Sequence, residues 1–185
     1  MKLYYTLYPY EKKNRQREKT ARDKLLRHVL AVNGIDFDKA EFEKNEHGKP
    51  YIVGSDLKFN ISHSKGIVVM AVSSDEIGAD CEKIRPYPKA VVNRVFIEEE
   101  KTRLENSSDK DLTFFEMWTC KEAFVKLVGQ GIGYSLERVN SFDDTFDYDG
   151  KLYRKYIYKT EDFFVTVICS DEEENSPVKI NFDEV

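Results

Sequence analysis

The stretch LKFNISHSKGIVVMAVSSDEIGADCEK, residues 57–83, holds three strands in succession. Residues 67–73 (IVVMAVS) are apolar almost without interruption, the composition of a strand buried on both faces in the middle of a sheet. Residues 57–62 lead into it through a turn at His63-Ser64-Lys65-Gly66, and residues 76–83 (EIGADCEK) follow as the third strand. Toward the N-terminus, residues 2–8 are aromatic and β-branched, as a strand requires. Residues 16–33 then read as a helix, with Ala21, Leu25, Leu26, Val29 and Val32 on one stripe and Gly34 as its stop, before a loop containing Gly48-Lys49-Pro50. Toward the C-terminus, Pro86 and Pro88 break the pattern. Helical segments are expected at 89–105 and 109–128, strands at 136–143, 151–159 and 163–169, and a surface turn over the acidic Asp171–Glu174. Each part combines helices with an antiparallel run of strands. The expectation is an α+β fold built twice, with an N-terminal half over 1–76 and a C-terminal half over 77–185.

Length and composition bound the function. A chain of 185 residues with 41% hydrophobic residues can bury a core. A net charge of −5 argues against bulk attraction to nucleic acid or an anionic membrane. The charge is uneven, however. From Lys12 to Arg27 eight basic residues stand against Glu18 and Asp23, an excess of six, so the remainder carries −11. Such a stretch is either a solvated helix face or a site for a small anion. The three cysteines, Cys81, Cys120 and Cys169, form no CxxC motif, which fits reduced thiols in the cytoplasm. Neither a signal-peptide apolar run nor a window long enough for a membrane span is found.

The chemistry begins at Asp80-Cys81-Glu82. Side chains two apart on a strand share a face, so two carboxylates lie side by side there, while Cys81 points to the core. This is either an exposed acidic strand end or a pair awaiting a cation. The 109–128 helix adds to it. Phe114, Met117, Trp118, Phe124, Val125 and Val128 fall on one broad apolar face, which Cys120, Ala123 and Leu127 extend. Thr119, Glu122 and Lys126 occupy a polar arc of only about 60°. A carboxylate and an amine on so apolar a helix need partners. They form either an i,i+4 pair or a third metal ligand, Glu122, with Lys126 aimed at an anion on that metal. Three carboxylates without histidine or thiolate favour a hard cation, Mg²⁺ or Mn²⁺, which also takes phosphate oxygens.

Taken in order, Phe59-Asn60-Ile61-Ser62-His63-Ser64, Ile77-Gly78-Ala79-Asp80-Cys81-Glu82 and Trp118-Thr119-Cys120-Lys121-Glu122-Ala123-Phe124-Val125-Lys126 resemble the Sfp-type 4′-phosphopantetheinyl transferases, whose patterns read NISHS, IGxDxE and WxxKEAxxK. Gly48-Lys49-Pro50 resembles the upstream GKP of that family and Gly129-Gln130-Gly131-Ile132 its GxG(L/I), so the likeness covers roughly residues 48–133. Cys81 stands where the family usually has an aliphatic residue. The resemblance implies two similar α/β halves with the active site in the cleft between them, Mg²⁺ as cofactor and coenzyme A as donor. It implies that Asp80, Glu82 and Glu122 hold the metal on the pyrophosphate, and that Lys126 neutralises the phosphate under attack. It further implies that Lys49 and Pro50 border the adenine, and that Ser62 and His63 contact coenzyme A phosphates, His63 at the 3′-phosphate. Arg15 and Lys19 are candidates for the same phosphate, and Glu100 matches a family glutamate proposed as a base.

The reaction so implied is attack by a serine hydroxyl of an apo acyl or peptidyl carrier protein on the β-phosphate of coenzyme A, releasing adenosine 3′,5′-bisphosphate. Glu122 would take the serine proton, directly or through a water. Two halves in one chain suggest a monomer. A metal-dependent phosphohydrolase acting on coenzyme A or a nucleotide, and an inactive carrier-binding module of the same fold, are the alternatives. The acidic balance leaves no role for nucleic acid.

Overall fold

The computed structural model describes residues 1–12, 15–131, 134–160, 162–171 and 175–182. β1 (Lys2–Leu7) is followed by α1 (Arg15–Val32), the short hairpin β2 (Phe42–Lys44) and β3 (Pro50–Ile52), then β4 (Lys58–Ser64), β5 (Ile67–Ser73) and β6 (Ile77–Lys83). Three helices follow, α2 (Lys89–Val95), α3 (Glu98–Asn106) and α4 (Lys110–Val128), and the chain continues with β7 (Thr145–Tyr148), β8 (Lys151–Lys159), β9 (Phe163–Cys169) and β10 (Val178–Lys179). The architecture is α+β. One sheet has the order β10-β1-β5-β4 and the other β6-β9-β8-β7. All pairings within them are antiparallel except that of β10, which runs parallel to β1. No helix among the described residues is long and apolar enough to cross a membrane.

β5 is buried at every position and sits between β1 and β4, as its unbroken apolar run dictates. One of its faces, with Val68, Met70 and Val72, packs under α1 against Leu25 and Val29. The other, with Ile67, Val69 and Ala71, shares a core with Ala79, Cys81, Val165 and Val167 of the second sheet. The two halves are therefore fused through a common apolar layer. The C-terminal half does not run to the end of the chain as expected: β10 joins the first sheet, and Ile180 and Phe182 pack into the α1 core.

Several boundaries differ from the sequence reading. On α1, Val32 is exposed and Leu30 is buried instead. The turn after β4 is only Lys65-Gly66, so His63 and Ser64 lie on the strand. The 89–105 helix is two helices, broken by extended backbone at Phe96 and Ile97. The strand expected at 136–143 is a 3₁₀ turn at Leu136–Arg138 followed by irregular chain, since side chains rather than a neighbouring strand take its backbone groups. β7, β10 and the β2–β3 hairpin were not foreseen. Glu172–Glu174 lie outside the described residues, as does Ile132 of the GQGI motif.

α4 is the element that places the site. Asp109 caps its start by accepting the Leu112 amide at 3.0 Å, and Gly129 ends it in the left-handed conformation at φ 70°. β6 crosses it at Gly78 with no room to spare: a Cβ there would lie 2.0 Å from the Ala123 carbonyl oxygen and 2.4 Å from the Leu127 nitrogen. Both of those are backbone atoms, so no rotamer change can relieve the clash. Gly78→Ala should therefore cost about 3 kcal/mol, at the upper end of overpacking penalties. Urea unfolding measures this directly, and an unchanged midpoint would mean that β6 and α4 are further apart than described.

Candidate active site

β4 and β6 are the outer strands of the two sheets and lie side by side, yet side chains rather than backbone pairs join them. Asn60 Oδ1 accepts the Ala79 amide at 3.1 Å, Ser62 Oγ accepts the Cys81 amide at 3.3 Å and Ser64 Oγ accepts the Lys83 amide at 3.2 Å. The period of two in Asn60, Ser62 and Ser64 thus matches every second amide of β6. The two hydroxyls then donate onward. Ser62 donates to Asp80 Oδ1 at 2.8 Å, and Ser64 to Glu82 Oε2 at 2.8 Å. Each serine bridges a backbone amide of β6 to a neighbouring carboxylate of that strand, which fixes the direction in which the carboxylate points.

The carboxylates meet the polar arc of α4. Lys126 Nζ donates to Asp80 Oδ1 at 2.5 Å and to Ser62 Oγ at 2.9 Å. Asp80 is buried, and burial pushes its carboxyl up while the Lys126 ammonium and the Ser62 hydroxyl pull it back. Burial alone would lower Lys126, but the Asp80 carboxylate holds the ammonium above its ordinary range. Glu122 is raised, first by burial and then by the charge of Asp80. Among the described residues it accepts no hydrogen bond. Glu82 is held at Oε2 by Arg85 at 2.7 Å as well as by Ser64.

Asp80, Glu82 and Glu122 are neighbours, but among the described residues no three such groups are already closed around a point that could hold a metal ion. The reason is visible at Asp80 and Glu82, each of which turns one oxygen to a serine and a basic side chain. The donor set nevertheless fits a hard cation. The second oxygen of Asp80, Oδ2, is buried without a hydrogen-bond partner among the described residues. A bare buried carboxylate oxygen costs free energy unless something positive meets it. Carboxylate oxygens with no sulfur or imidazole suit Mg²⁺ or Mn²⁺.

A cleft of about 550 Å³ opens beside this group, reaching Glu122 and Lys126 but not Asp80 or Glu82, which are not among its lining residues. Glu122 and Lys126 line it from α4, Gly48, Lys49 and Pro50 from the β2–β3 hairpin, and Tyr134 and Leu136 from the chain beyond α4. The hairpin is latched to the end of α4. Asn45 Nδ2 donates to the Gly129 carbonyl at 3.0 Å, and Lys49 Nζ reaches the Leu127 carbonyl at 2.9 Å and Glu76 at 2.6 Å. The Lys49 ammonium is thereby spent at the negative end of a helix dipole, and only the remainder of the residue is presented to the cleft.

The other expected residues are placed as follows. Ser62 is buried under the carboxylates. His63 is exposed on β4, its Nδ1 3.3 Å from Glu18 of α1. Arg15 and Lys19 are exposed on α1 and are not among the residues lining the cleft. Glu100 is a correction. It is neither solvated nor in the cleft but 0% exposed, with Lys121 Nζ and the Ile97 amide on Oε2 and the Ser141 amide and hydroxyl on Oε1. With both oxygens occupied, it has no lone pair facing a reacting hydroxyl. The residues the sequence reading passed over are Ser64, Arg85 and Lys121. Ser64 had a signal, since it continues the alternation of Asn60 and Ser62.

The family model of the 4′-phosphopantetheinyl transferase superfamily matches residues 76–180, more than half of the chain. The chain belongs to this superfamily. It is 34% identical over 155 residues to a 4′-phosphopantetheinyl transferase of Bacillus subtilis, covering 82% of this chain and 68% of that one. It is 36% identical over 110 residues to the 4′-phosphopantetheinyl transferase gsp of Aneurinibacillus migulanus, and 34% over 131 residues to psf-1 of Bacillus pumilus. The matched stretch spans about half the length of these two curated relatives, 46% and 55%. Among solved structures, the holo-[acyl-carrier-protein] synthase of Thermotoga maritima is 19% identical with a TM-score of 0.41, over 53% of this chain and 64% of that one.

Proposed function

We propose that this chain transfers the 4′-phosphopantetheine group of coenzyme A to a serine hydroxyl of an apo acyl or peptidyl carrier protein, with Mg²⁺ or Mn²⁺ as cofactor. The observation that carries the reading is that Glu122 and Lys126 line a cleft of a size that suits a small-molecule ligand, with the buried Asp80 fixing the ammonium from behind. The names of the relatives agree with it.

In this reading Asp80, Glu82 and Glu122 hold the cation, and the unpartnered Asp80 Oδ2 is the oxygen most in need of it. When bound, the cation supplies Lewis-acid neutralisation of the pyrophosphate. The protein supplies the rest. Lys126, anchored by Asp80 and Ser62, presents a positive charge to the phosphate under attack without first having to be ordered. Glu122 takes the proton of the serine hydroxyl, directly or through a water. The bond from serine oxygen to the β-phosphorus forms as the bond to the bridging oxygen breaks, and adenosine 3′,5′-bisphosphate leaves. Pro50 and the stem of Lys49 border the adenine. His63 receives the 3′-phosphate, with Arg15 and Lys19 adding positive charge from α1. The three free, buried cysteines agree with a cytoplasmic setting, and the reading takes the chain to act as a monomer.

Mass spectrometry of apo carrier proteins incubated with this protein, coenzyme A and Mg²⁺ tests the reading. The carrier should gain the mass of one phosphopantetheine, and bisphosphate should be released only when carrier is present. Bisphosphate released without carrier would replace transfer with hydrolysis. No mass gain on fatty-acid, polyketide or peptide carriers would remove the proposal.

A further inference from the structure

Two stretches far apart in sequence line the cleft from one side: Arg94 and Val95 at the end of α2, and Tyr134, Ser135 and Leu136 beyond α4. Neither stretch belongs to a sheet. Both are tied to a single buried point, the ion pair between Glu100 on α3 and Lys121 on α4, which lie 2.9 Å apart with both side chains 0% exposed. Lys121 Nζ directs its other two donors to the carbonyls of Leu136 and Val139. Glu100 accepts the Ser141 amide at 2.9 Å and hydroxyl at 2.6 Å, and also the Ile97 amide at 3.0 Å. That last bond fixes the bend between α2 and α3, and with it the end of α2. Every donor of the ammonium is thus engaged, and two of the three hold the backbone of the cleft wall.

We infer that Glu100 and Lys121 are positioning residues that hold the 94–95 and 134–141 stretches as one wall of the cleft and so set how tightly it grips the donor. The inference rests on the reading of the cleft as the coenzyme A site. It differs from a purely stabilising role, because a buried ion pair is weak support for a fold and an uncharged pair of similar volume often replaces it without loss. What such a pair cannot replace is the hold of Lys121 on two carbonyls of an irregular segment.

The double substitution Glu100→Gln with Lys121→Met removes both charges at nearly constant volume. Hydrogen exchange is read at the Arg138 amide, whose bond to the Ser135 carbonyl does not involve the pair, and at the Val139 amide, whose acceptor, the Leu136 carbonyl, is shared with Lys121. Their exchange should quicken at least tenfold while amides of β6 and of the middle of α4 keep their protection. In the transfer assay the KM for coenzyme A should rise about tenfold with kcat within threefold. Unchanged exchange at Arg138 and Val139, or an equal increase across the whole molecule, would overturn the inference. So would an unchanged KM in an active variant. If the wild-type protein shows no transfer at all, the reading of the cleft fails, and the exchange pattern still decides whether the pair holds the wall. Ser141→Ala keeps the ion pair and removes one hydroxyl donor. It should produce the same local pattern at about threefold, so the question stays open to test even if the double variant does not fold.

Discussion

Asp80→Asn is expected to reduce transfer by about 10³ or more while leaving the fold intact. Asparagine keeps the shape of the side chain and an oxygen for the Ser62 hydroxyl, so the β4–β6 contact survives. It removes the negative charge from Oδ2, the buried oxygen without a partner. A divalent cation contributes several kcal/mol to the stabilisation of developing charge, and each 1.36 kcal/mol is a factor of ten, so losing about 4 kcal/mol gives the stated drop. Lys126 loses its carboxylate partner, but its side chain is 29% exposed and the ammonium can be solvated. Thermal unfolding supplies a second readout. Ligand at a hundredfold excess over its dissociation constant adds about 2.7 kcal/mol, or roughly 5–10 °C for a domain of this size. The wild type should show such a rise with Mg²⁺ and the variant none. Full activity in Asp80→Asn, or an equal rise in both proteins, would remove Asp80 from the cation site.

How much of this could be read in advance depends on where the partners of each residue lie in the chain. Asp80 and Glu82 were legible because a strand of period two, flanked by Ile77 and Ala79, leaves few options for its polar side chains. Glu122 and Lys126 were legible because α4 is apolar almost all the way round, so two charges in a narrow arc must face something. Lys121 was not legible. It lies next to Glu122 in sequence, and nothing local distinguishes a lysine that is 0% exposed from one in solvent, since its partner Glu100 sits on another helix. The same blindness left Glu100 matched only to a family glutamate proposed as a base. The 136–143 segment misled for a related reason. Val139 and Phe142 suit a strand, but the carbonyls of Leu136 and Val139 are taken by a side chain of α4. β10 is two residues long and its pairing with β1 joins opposite ends of the chain, so no local pattern announces it.

Glu122→Gln should abolish transfer to a similar degree, about 10³, but with the opposite consequence for the protein without cation. Glu122 is raised from its ordinary value of 4.5 by burial, with the charge of Asp80 adding to it. A carboxyl raised on folding binds its proton more tightly in the folded state than in the unfolded one. Its contribution to stability is therefore fully present below about 4.5 and is lost as pH rises toward the folded value, beyond which the ionised group is a constant cost. Glutamine never ionises, so the variant escapes that loss. In the absence of divalent cation it should be at least as stable as the wild type at pH 7, and its stability should fall less between pH 4.5 and neutrality. Activity follows the other sign. The wild type needs Glu122 ionised, both to share the cation and to take the serine proton, so transfer should rise with pH as Glu122 ionises, and the bound cation, which favours the ionised form, should place that rise at lower pH than the titration of the cation-free protein. Urea unfolding across pH 4.5–8 for both proteins, set beside the pH profile of transfer for the wild type, tests the two signs together. A variant less stable than the wild type at pH 7, or one that still transfers at the wild-type rate, would show that Glu122 supports the fold rather than the reaction.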